Sequence, residues 1–473
     1  MTKKIPHTEN ATWSLLKLAW PVILSSLLHL TYNLIDMLWV GRLGSGAVAA
    51  VGSATFFINL GWAFASIITI GTTVSISHAV GAQNKKLVQR YVSSSMVAML
   101  ILGVVYTSFL LFTPRYLIGF FKIPDPQVVE QAVQYLRINA IGVIIGFFNL
   151  IFSGILDAHG RTKSSFRAVL YGNIVNMILD PIFIIYLDLG VSGAAVATVL
   201  SRSVAFLFFY ILIHRKQLVA LSFMQAGIAQ LRQILRIGLP GSLQRTLFTL
   251  IAIIIGRIVA DFGTDAIAAQ KIGLQVESLS FTIMGGLSQA MAILVGQSFG
   301  ARSFLRIKSL YKAGLRINLM IGAVMTIIFV LFARELVSIF VDTPETIEMG
   351  SAYLRIVGFS QLFMGLDMMT AGTYNGQGMT KYPASNSVIQ TSLRIPLAYV
   401  LSHYTPLGLD GVWLSISVTS IGRGIVLYFM YKVRESKLSR LDKIELRKQI
   451  RKQQLEKEQD KKYPYSSNTI NDN

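Results

Sequence analysis

Long apolar stretches alternate with short polar joints along most of the chain. A helix needs roughly 20 apolar residues to cross a bilayer, and each stretch approaches or exceeds that length. The pattern predicts twelve transmembrane helices, at residues 12–40, 48–80, 91–113, 131–157, 168–187, 193–213, 240–260, 266–299, 313–333, 351–375, 384–403 and 411–431.

The second six helices repeat the first six. The segment PVILSSLLHLTYNLIDMLWVGRLGSGAVAA, which begins at Pro21, aligns without a gap with PGSLQRTLFTLIAIIIGRIVADFGTDAIAA, which begins at Pro240, at an offset of 219. The same register of small residues continues to Gly81 and Gly300. Chance similarity between apolar helices would not keep a register of small residues over such a length.

A second match, at an offset of 218, pairs the Tyr-Leu-Arg sequence at 135–137 with the one at 353–355. Six is an even number, so both halves enter the membrane in the same orientation. Parallel repeats of this kind are related by an axis along the membrane normal, with the substrate site between them. The sequence therefore predicts an all-α polytopic membrane protein with two pseudo-symmetric six-helix lobes, at 12–213 and 240–431.

Composition and charge agree with this architecture. Hydrophobic residues make up 53% of the 473 residues and charged residues only 14%, against about 25% charged in soluble domains. The net charge is +20, and Lys and Arg are concentrated in alternate loops, which are expected to be cytoplasmic. We therefore expect a multi-pass protein of the cytoplasmic membrane, with an N-terminus at 1–11, a linker at 214–239 and a basic tail at 432–473 all in the cytoplasm. The tail is expected to lie near anionic lipid rather than to bind nucleic acid.

Several classes of chemistry have no support in the sequence. Cysteine is absent, so thiol nucleophiles, thiolate zinc sites and iron–sulfur clusters are excluded. The six histidines lack HExxH spacing and no GxxxxGK[ST] loop occurs. We expect neither an enzyme nor a bound cofactor.

Acidic residues inside the predicted helices are the strongest functional candidates, because a charge at the centre of a membrane helix costs about 2.5–3.5 kcal/mol on insertion scales. Tyr32 precedes Asp36 by four residues and shares its helix face. Asn176 and Asp180 also share a face, and Pro181 leaves the carbonyl four residues earlier without its helical partner. The second half contributes the secondary candidates Glu277 and Asp367, which could serve a proton or drug site or pair with a helix-borne arginine. By contrast, Asp157 stands at a cytoplasmic helix end, where it is expected to face water.

The arginines within helices have two explanations. They either snorkel to an interface or line a basic cavity for an anionic substrate. They are Arg202, Arg245, Arg257, Arg394 and Arg423.

Together these features resemble the multidrug and toxic compound extrusion (MATE) transporters. The resemblance covers approximately residues 12–431 and rests on the run from Pro21 through Asp36, its partial echo after Pro240, and paired helix ends and turns. These pairs are HAVGAQNKK with QSFGARSFLR, and HGRTK with GQGMTK. The resemblance implies a twelve-helix, two-lobe antiporter that expels organic, often cationic, compounds in exchange for inward Na⁺ or H⁺.

The chain is most similar to the archaeal and DinF-like branch of that family. This resemblance implies an ion-coupling site in the first lobe, with an adjacent tyrosine at Tyr135, and Na⁺ or H⁺ as the coupling ion. The matching positions of the site are Asp36, Asn176, Asp180 and Thr198. An acid early in helix seven marks the NorM-like branch, and the stretch SLQRTLFTLIAII has none.

Two transport functions are compatible with the sequence. The first is cation-coupled efflux of small organic molecules, and the alternative is a flippase for a lipid-linked precursor within the same broader superfamily. Either protein would contact membrane lipids, and we expect a monomer.

Overall fold

The computed structural model describes residues 10–462, with side chains described for residues 10–435. Most of the predicted N-terminal segment 1–11 and of the predicted tail 432–473 therefore lies outside the residues whose side chains are described. The helices of the first half are α1 (Ala11–Gly41), α2 (Ser45–Gly81), α3 (Lys85–Phe112), the short α4 (Pro114–Gly119), α5 (Pro126–Ala158), α6 (Thr162–Pro181) and α7 (Gly190–Arg215).

The second half has the same order of helices. They are α8 (Ile228–Ala260), α9 (Thr264–Gly300), α10 (Phe304–Leu331), the short α11 (Ala333–Ser338), α12 (Pro344–Gly358), α13 (Gln361–Gly376), α14 (Lys381–His403) and α15 (Leu409–Lys462). Within the described residues, ten helices are individually long and apolar enough to cross a membrane. The other two predicted spans correspond to the pair α12 and α13 and to α14.

Several predicted bounds differ from the structure, and two of these differences have a clear physical cause. The predicted linker ended at 239, but α8 begins at Ile228, because the amphipathic stretch before Pro240 continues the helix. The predicted tenth helix is interrupted at Phe359 and Ser360. The Ser360 amide and hydroxyl both donate to the Val357 carbonyl, at 2.9 and 2.8 Å, and such local side-chain bonding competes with helical hydrogen bonds.

The internal repeat is visible as paired contacts between the halves. A methyl group added at Gly81 of α2 would overlap the carbonyl oxygen of Gln297 on α9, and one added at Gly300 would overlap that of His78. Adding 219 to the number of Gly81 gives Gly300, and subtracting 219 from that of Gln297 gives His78. The two contacts are therefore equivalent under the repeat. The two helices therefore cross at close range beside the pseudo-two-fold axis, at an end that the charge pattern assigns to the cytoplasm.

Side chains at this crossing also obey the repeat. The Nε2 atom of His78 donates to the carbonyl of Gly376 at 2.6 Å, and Nε2 of Gln297 donates to the carbonyl of Ala158 at 2.8 Å. The offset is 219 between the donors and 218 between the acceptors, as the two sequence matches require. The structure thus confirms the register read from the sequence.

The first helix of each half also packs against the other half. Leu15 of α1 lies fully buried in an apolar cluster with Leu287 and Met291 of α9. Ile234 of α8, its equivalent at an offset of 219, lies in the core of the first half. The lobes are therefore joined at this end, because the beginning of the first helix of each half packs into the other half.

Candidate functional site

Helix α6 places Asn176 and Asp180 together in the interior of the first half. Nδ2 of Asn176 donates to Oδ1 of Asp180 at 3.1 Å, and the two residues are 1% and 0% exposed. Pro181 ends α6, and a π-helical turn at Ile182–Tyr186 follows. The irregular backbone predicted from the proline therefore directly adjoins the carboxylate.

Asp36 of α1 faces the same interior. It interacts electrostatically with Asp180 across the helix interface and with Arg202 of α7. Its Oδ1 atom is buried and has no hydrogen-bond partner. The structure thus brings together two acids that are separated by 144 positions in the sequence.

Three oxygen atoms of this cluster are buried and lack a hydrogen-bond donor. They are Oδ1 of Asp36, Oδ1 of Asn176 and Oδ2 of Asp180. Buried polar oxygens are rarely left without a partner, and hard cations prefer carboxylate and amide oxygens. The donor set therefore fits a Na⁺ ion, and either carboxylate can instead take up a proton. Within the described residues, no group of three or more His, Cys, Asp or Glu side chains could hold a metal ion, so a Na⁺ ligand set here needs the amide and hydroxyl oxygens as well.

Tyr32, Tyr135 and Thr198 complete the wall of this cluster. Thr198 is buried; its hydroxyl donates to the Ala194 carbonyl at 3.0 Å and lies in hydrogen-bonding range of Tyr32. Tyr135 is buried, and it interacts electrostatically with Asp36 and Tyr32. All five predicted coupling-site residues, and Tyr32, therefore lie in one cluster formed by α1, α5, α6 and α7.

Sequence reasoning did not assign Arg202 to this cluster. Its guanidinium carbon lies 5.2 Å from the ring centre of Trp62, and its Nη1 atom is buried without a hydrogen-bond partner. Snorkelling to an interface is therefore wrong for this arginine, which adds a positive charge beside the carboxylate of Asp36. The mid-helix position of Arg202 was the only sequence feature that could have indicated this role. The helix face of a residue does not show which acidic side chains on other helices it contacts.

Glu277 lies in a separate polar cluster in the second half. It accepts hydrogen bonds from the hydroxyl of Tyr353 at 3.0 Å and from Nε2 of Gln361 at 3.3 Å, and it interacts electrostatically with Arg394. The offset of 218 makes Tyr353 the equivalent of Tyr135 and Arg394 the equivalent of Asn176. The second half therefore has an arginine where the first half has an amide.

Asp367 is part of a buried ion pair. Its Oδ2 atom lies 3.0 Å from Nε of Arg423, and both side chains are 12% exposed. The structure thus supports the pairing explanation for this acid and places it apart from the cluster around Asp36.

Comparison with known proteins gives a consistent result. A family model described as MatE matches residues 21–182 and 240–400, once in each half. The two matched ranges together cover more than half of the chain and correspond to the internal repeat.

Individual relatives match over most of the chain. The probable multidrug resistance protein NorM of Thermotoga maritima is 28% identical over 430 residues, which are 88% of this chain and 91% of that protein. The multidrug export protein MepA of Staphylococcus haemolyticus is 25% identical over 422 residues, 88% of this chain and 92% of that protein. A crystal structure of MATE in the bent conformation superposes with a TM-score of 0.85 at 27% identity, covering 91% of this chain and 97% of that one.

Proposed function

The chain belongs to the MatE family of membrane transporters, and on that premise we propose that it is a secondary active antiporter that exports organic compounds in exchange for H⁺ or Na⁺. Relatives named as multidrug resistance and multidrug export proteins support efflux and do not favour the lipid-linked flippase. The family consists of transporters rather than enzymes.

The cluster of Asp36, Asn176 and Asp180 is the proposed coupling site, and its unpartnered buried oxygens are the observation that carries the proposal. Two neighbouring carboxylates repel one another, and a proton or a Na⁺ ion removes that repulsion. Asp36 and Asp180 lie on different helices, so relief of the repulsion changes how α1 packs against α6. The bound ion then biases a two-state equilibrium through its differential affinity for the two states.

The direction of opening follows from the contacts between the halves. Hydrogen bonds from His78 to Gly376 and from Gln297 to Ala158 close the end that carries the basic loops. We assign this conformation to the outward-facing state, in a monomer of the cytoplasmic membrane whose termini are both cytoplasmic.

The energetics of exchange are sufficient for efflux. Inward movement of one monovalent cation supplies about 2.3 kcal/mol per 100 mV, which can sustain roughly a fortyfold gradient of a neutral substrate. Exchange of one such ion for a monovalent cationic substrate moves no net charge. In that case the concentration gradient of the ion alone drives export.

Reconstituted transport tests this proposal. Purified protein in liposomes should move a fluorescent organic cation when either a pH gradient or a Na⁺ gradient is imposed, and the gradient that succeeds identifies the coupling ion. Protein-free liposomes under the same gradients control for leak. Absence of transport under both gradients, with correctly inserted protein, would contradict antiport of that substrate class.

A further inference from the structure

A second polar site lies where the first half meets α9, at the end that the basic loops place in the cytoplasm. A cavity of about 90 Å³ opens between α1, α5, α6 and α9. Its polar lining consists chiefly of Ser25, Ser26, Ser153, Asp157, Ser165 and Gln289. None of these residues belongs to the cluster around Asp36.

Asp157 is the only acid among the residues that line this cavity. It was expected to face water at a helix end, but that expectation is wrong, since the residue is only 4% exposed. Its Oδ2 atom accepts a long hydrogen bond of 3.5 Å from the Ser153 hydroxyl, and the Ser165 hydroxyl also lies in hydrogen-bonding range of the carboxylate. The Oδ1 atom has no partner. Within the portion of the chain whose side chains are described, Asp157 takes part in no salt bridge. A buried carboxylate without a compensating charge is costly.

The serines around the cavity present acceptor oxygens. The Ser25 hydroxyl donates to the Pro21 carbonyl at 2.8 Å, and the Ser26 hydroxyl donates to the Val22 carbonyl at 3.1 Å. A hydroxyl has one donor and two acceptor lone pairs. Since the proton of each is used within its own helix, lone pairs remain for a ligand, and acceptors grouped around one carboxylate favour a cation.

The equivalent positions in the second half lack this chemistry. Offsets of 218 and 219 place Asn375 opposite Asp157, Ala371 opposite Ser153 and Arg245 opposite Ser26. The two-lobe architecture therefore does not need an acid or these hydroxyls at this point. Their presence in one half alone points to a ligand.

We propose that Asp157, the surrounding serine hydroxyls and Gln289 bind one Na⁺ ion on the cytoplasmic side. Na⁺ is a hard cation that several oxygen ligands can hold, and a single carboxylate matches its single charge. The site is separate from the proposed coupling site and does not depend on which ion drives transport.

The position of Gln289 gives this site a conformational role. Gln289 lies on α9 of the second half, whereas Asp157 and the serines lie in the first half. The bound ion therefore joins the two halves on the cytoplasmic side. It stabilises the state in which that side is closed.

Binding of radioactive Na⁺ to purified full-length protein tests the proposal, at constant ionic strength with K⁺ as the replacement ion. The variant Asp36→Asn/Asp180→Asn lacks the carboxylates of the proposed coupling site, so any Na⁺ it retains must bind elsewhere. We expect it to bind one saturable Na⁺ per protein. Adding Asp157→Asn, which introduces the amide found at the equivalent Asn375, should abolish that binding.

Two further variants keep the test decisive. Adding Asp342→Asn, which removes an exposed acid outside the cavity, should leave binding unchanged. Gln289→Ile, which introduces the residue found at the equivalent Ile70, should weaken binding at least tenfold even if the Asp157 variant folds poorly. Retention of Na⁺ binding in both cavity variants, or its absence from the starting double variant, would overturn the proposal and leave a water-filled cavity. Neither result would affect the test of antiport itself.

Discussion

At the scale of single residues, the carboxylates of Asp36 and Asp180 carry the proposed coupling. We predict that Asp36→Asn and Asp180→Asn each abolish gradient-driven efflux, because an amide cannot exchange a proton and has no charge to attract Na⁺. Folding and membrane insertion should persist, since each amide retains the shape of the acid. Efflux from liposomes that contain purified variants is the measurement, with Asp342→Asn as the matched control. Efflux at the wild-type rate by the Asp36→Asn protein would exclude this mechanism.

Asp367 should behave differently because it already has a partner. Asp367→Asn leaves the buried guanidinium of Arg423 without its counter-charge, and breaking a buried pair costs about 3–5 kcal/mol. We therefore predict a lower thermal unfolding midpoint but a smaller loss of efflux than for Asp36→Asn. The double variant Asp367→Asn/Arg423→Gln should recover part of the stability. If the double variant were less stable than either single variant, the pair would not be the cause.

At the scale of helices, the crossing of α2 and α9 limits which conformation the protein adopts. Alanine at Gly81 would push its methyl group into the backbone of Gln297, and overpacking of this kind costs about 1–3 kcal/mol. The same cost applies to Gly300→Ala, which meets the backbone of His78. We predict that each variant separates the cytoplasmic ends of the two helices and favours the inward-facing state.

Spin labels can measure this separation because the chain has no cysteine of its own. Cysteines placed at Ala82 and Ala301, both exposed and next to the crossing, should report a longer distance in the Gly81→Ala protein. Gly285→Ala is the matched control on α9, since a methyl group there meets nothing within 4 Å. An unchanged distance distribution in both crossing variants would show that this contact does not set the conformation.

At the scale of the whole molecule, the distribution of Lys and Arg predicts the orientation in the membrane. A single cysteine at position 225, in the exposed joint between α7 and α8, should resist an impermeant thiol reagent in intact cells and react after the membrane is permeabilised. A cysteine at Tyr186, which is 84% exposed between α6 and α7, should instead react with the same reagent in intact cells. Labelling of position 225 in intact cells would reverse the predicted topology.

The sequence by itself determined the features that depend on local composition and on the repeat. Hydrophobic length gave the spans, and the offsets of 219 and 218 gave the pairing of the halves, which the contacts of Gly81 and Gly300 confirm. The sequence also indicated Asp36 and Asp180 as candidate functional residues, because an acid within an apolar span stands out regardless of how the helix packs.

Only the tertiary structure decided which polar groups meet. Helix periodicity shows which residues share a face, but it does not show which neighbouring helix that face contacts. Lipid and protein interiors are similarly apolar, so the association of membrane helices depends on close packing instead. The inward position of Arg202, the pairing of Asp367 with Arg423 and the burial of Asp157 all depend on contacts between helices distant in sequence. The positions of Leu15 and Ile234 have the same cause. Each lies near the beginning of the first helix of its half and packs into the other half, and this packing is not determined by either helix alone.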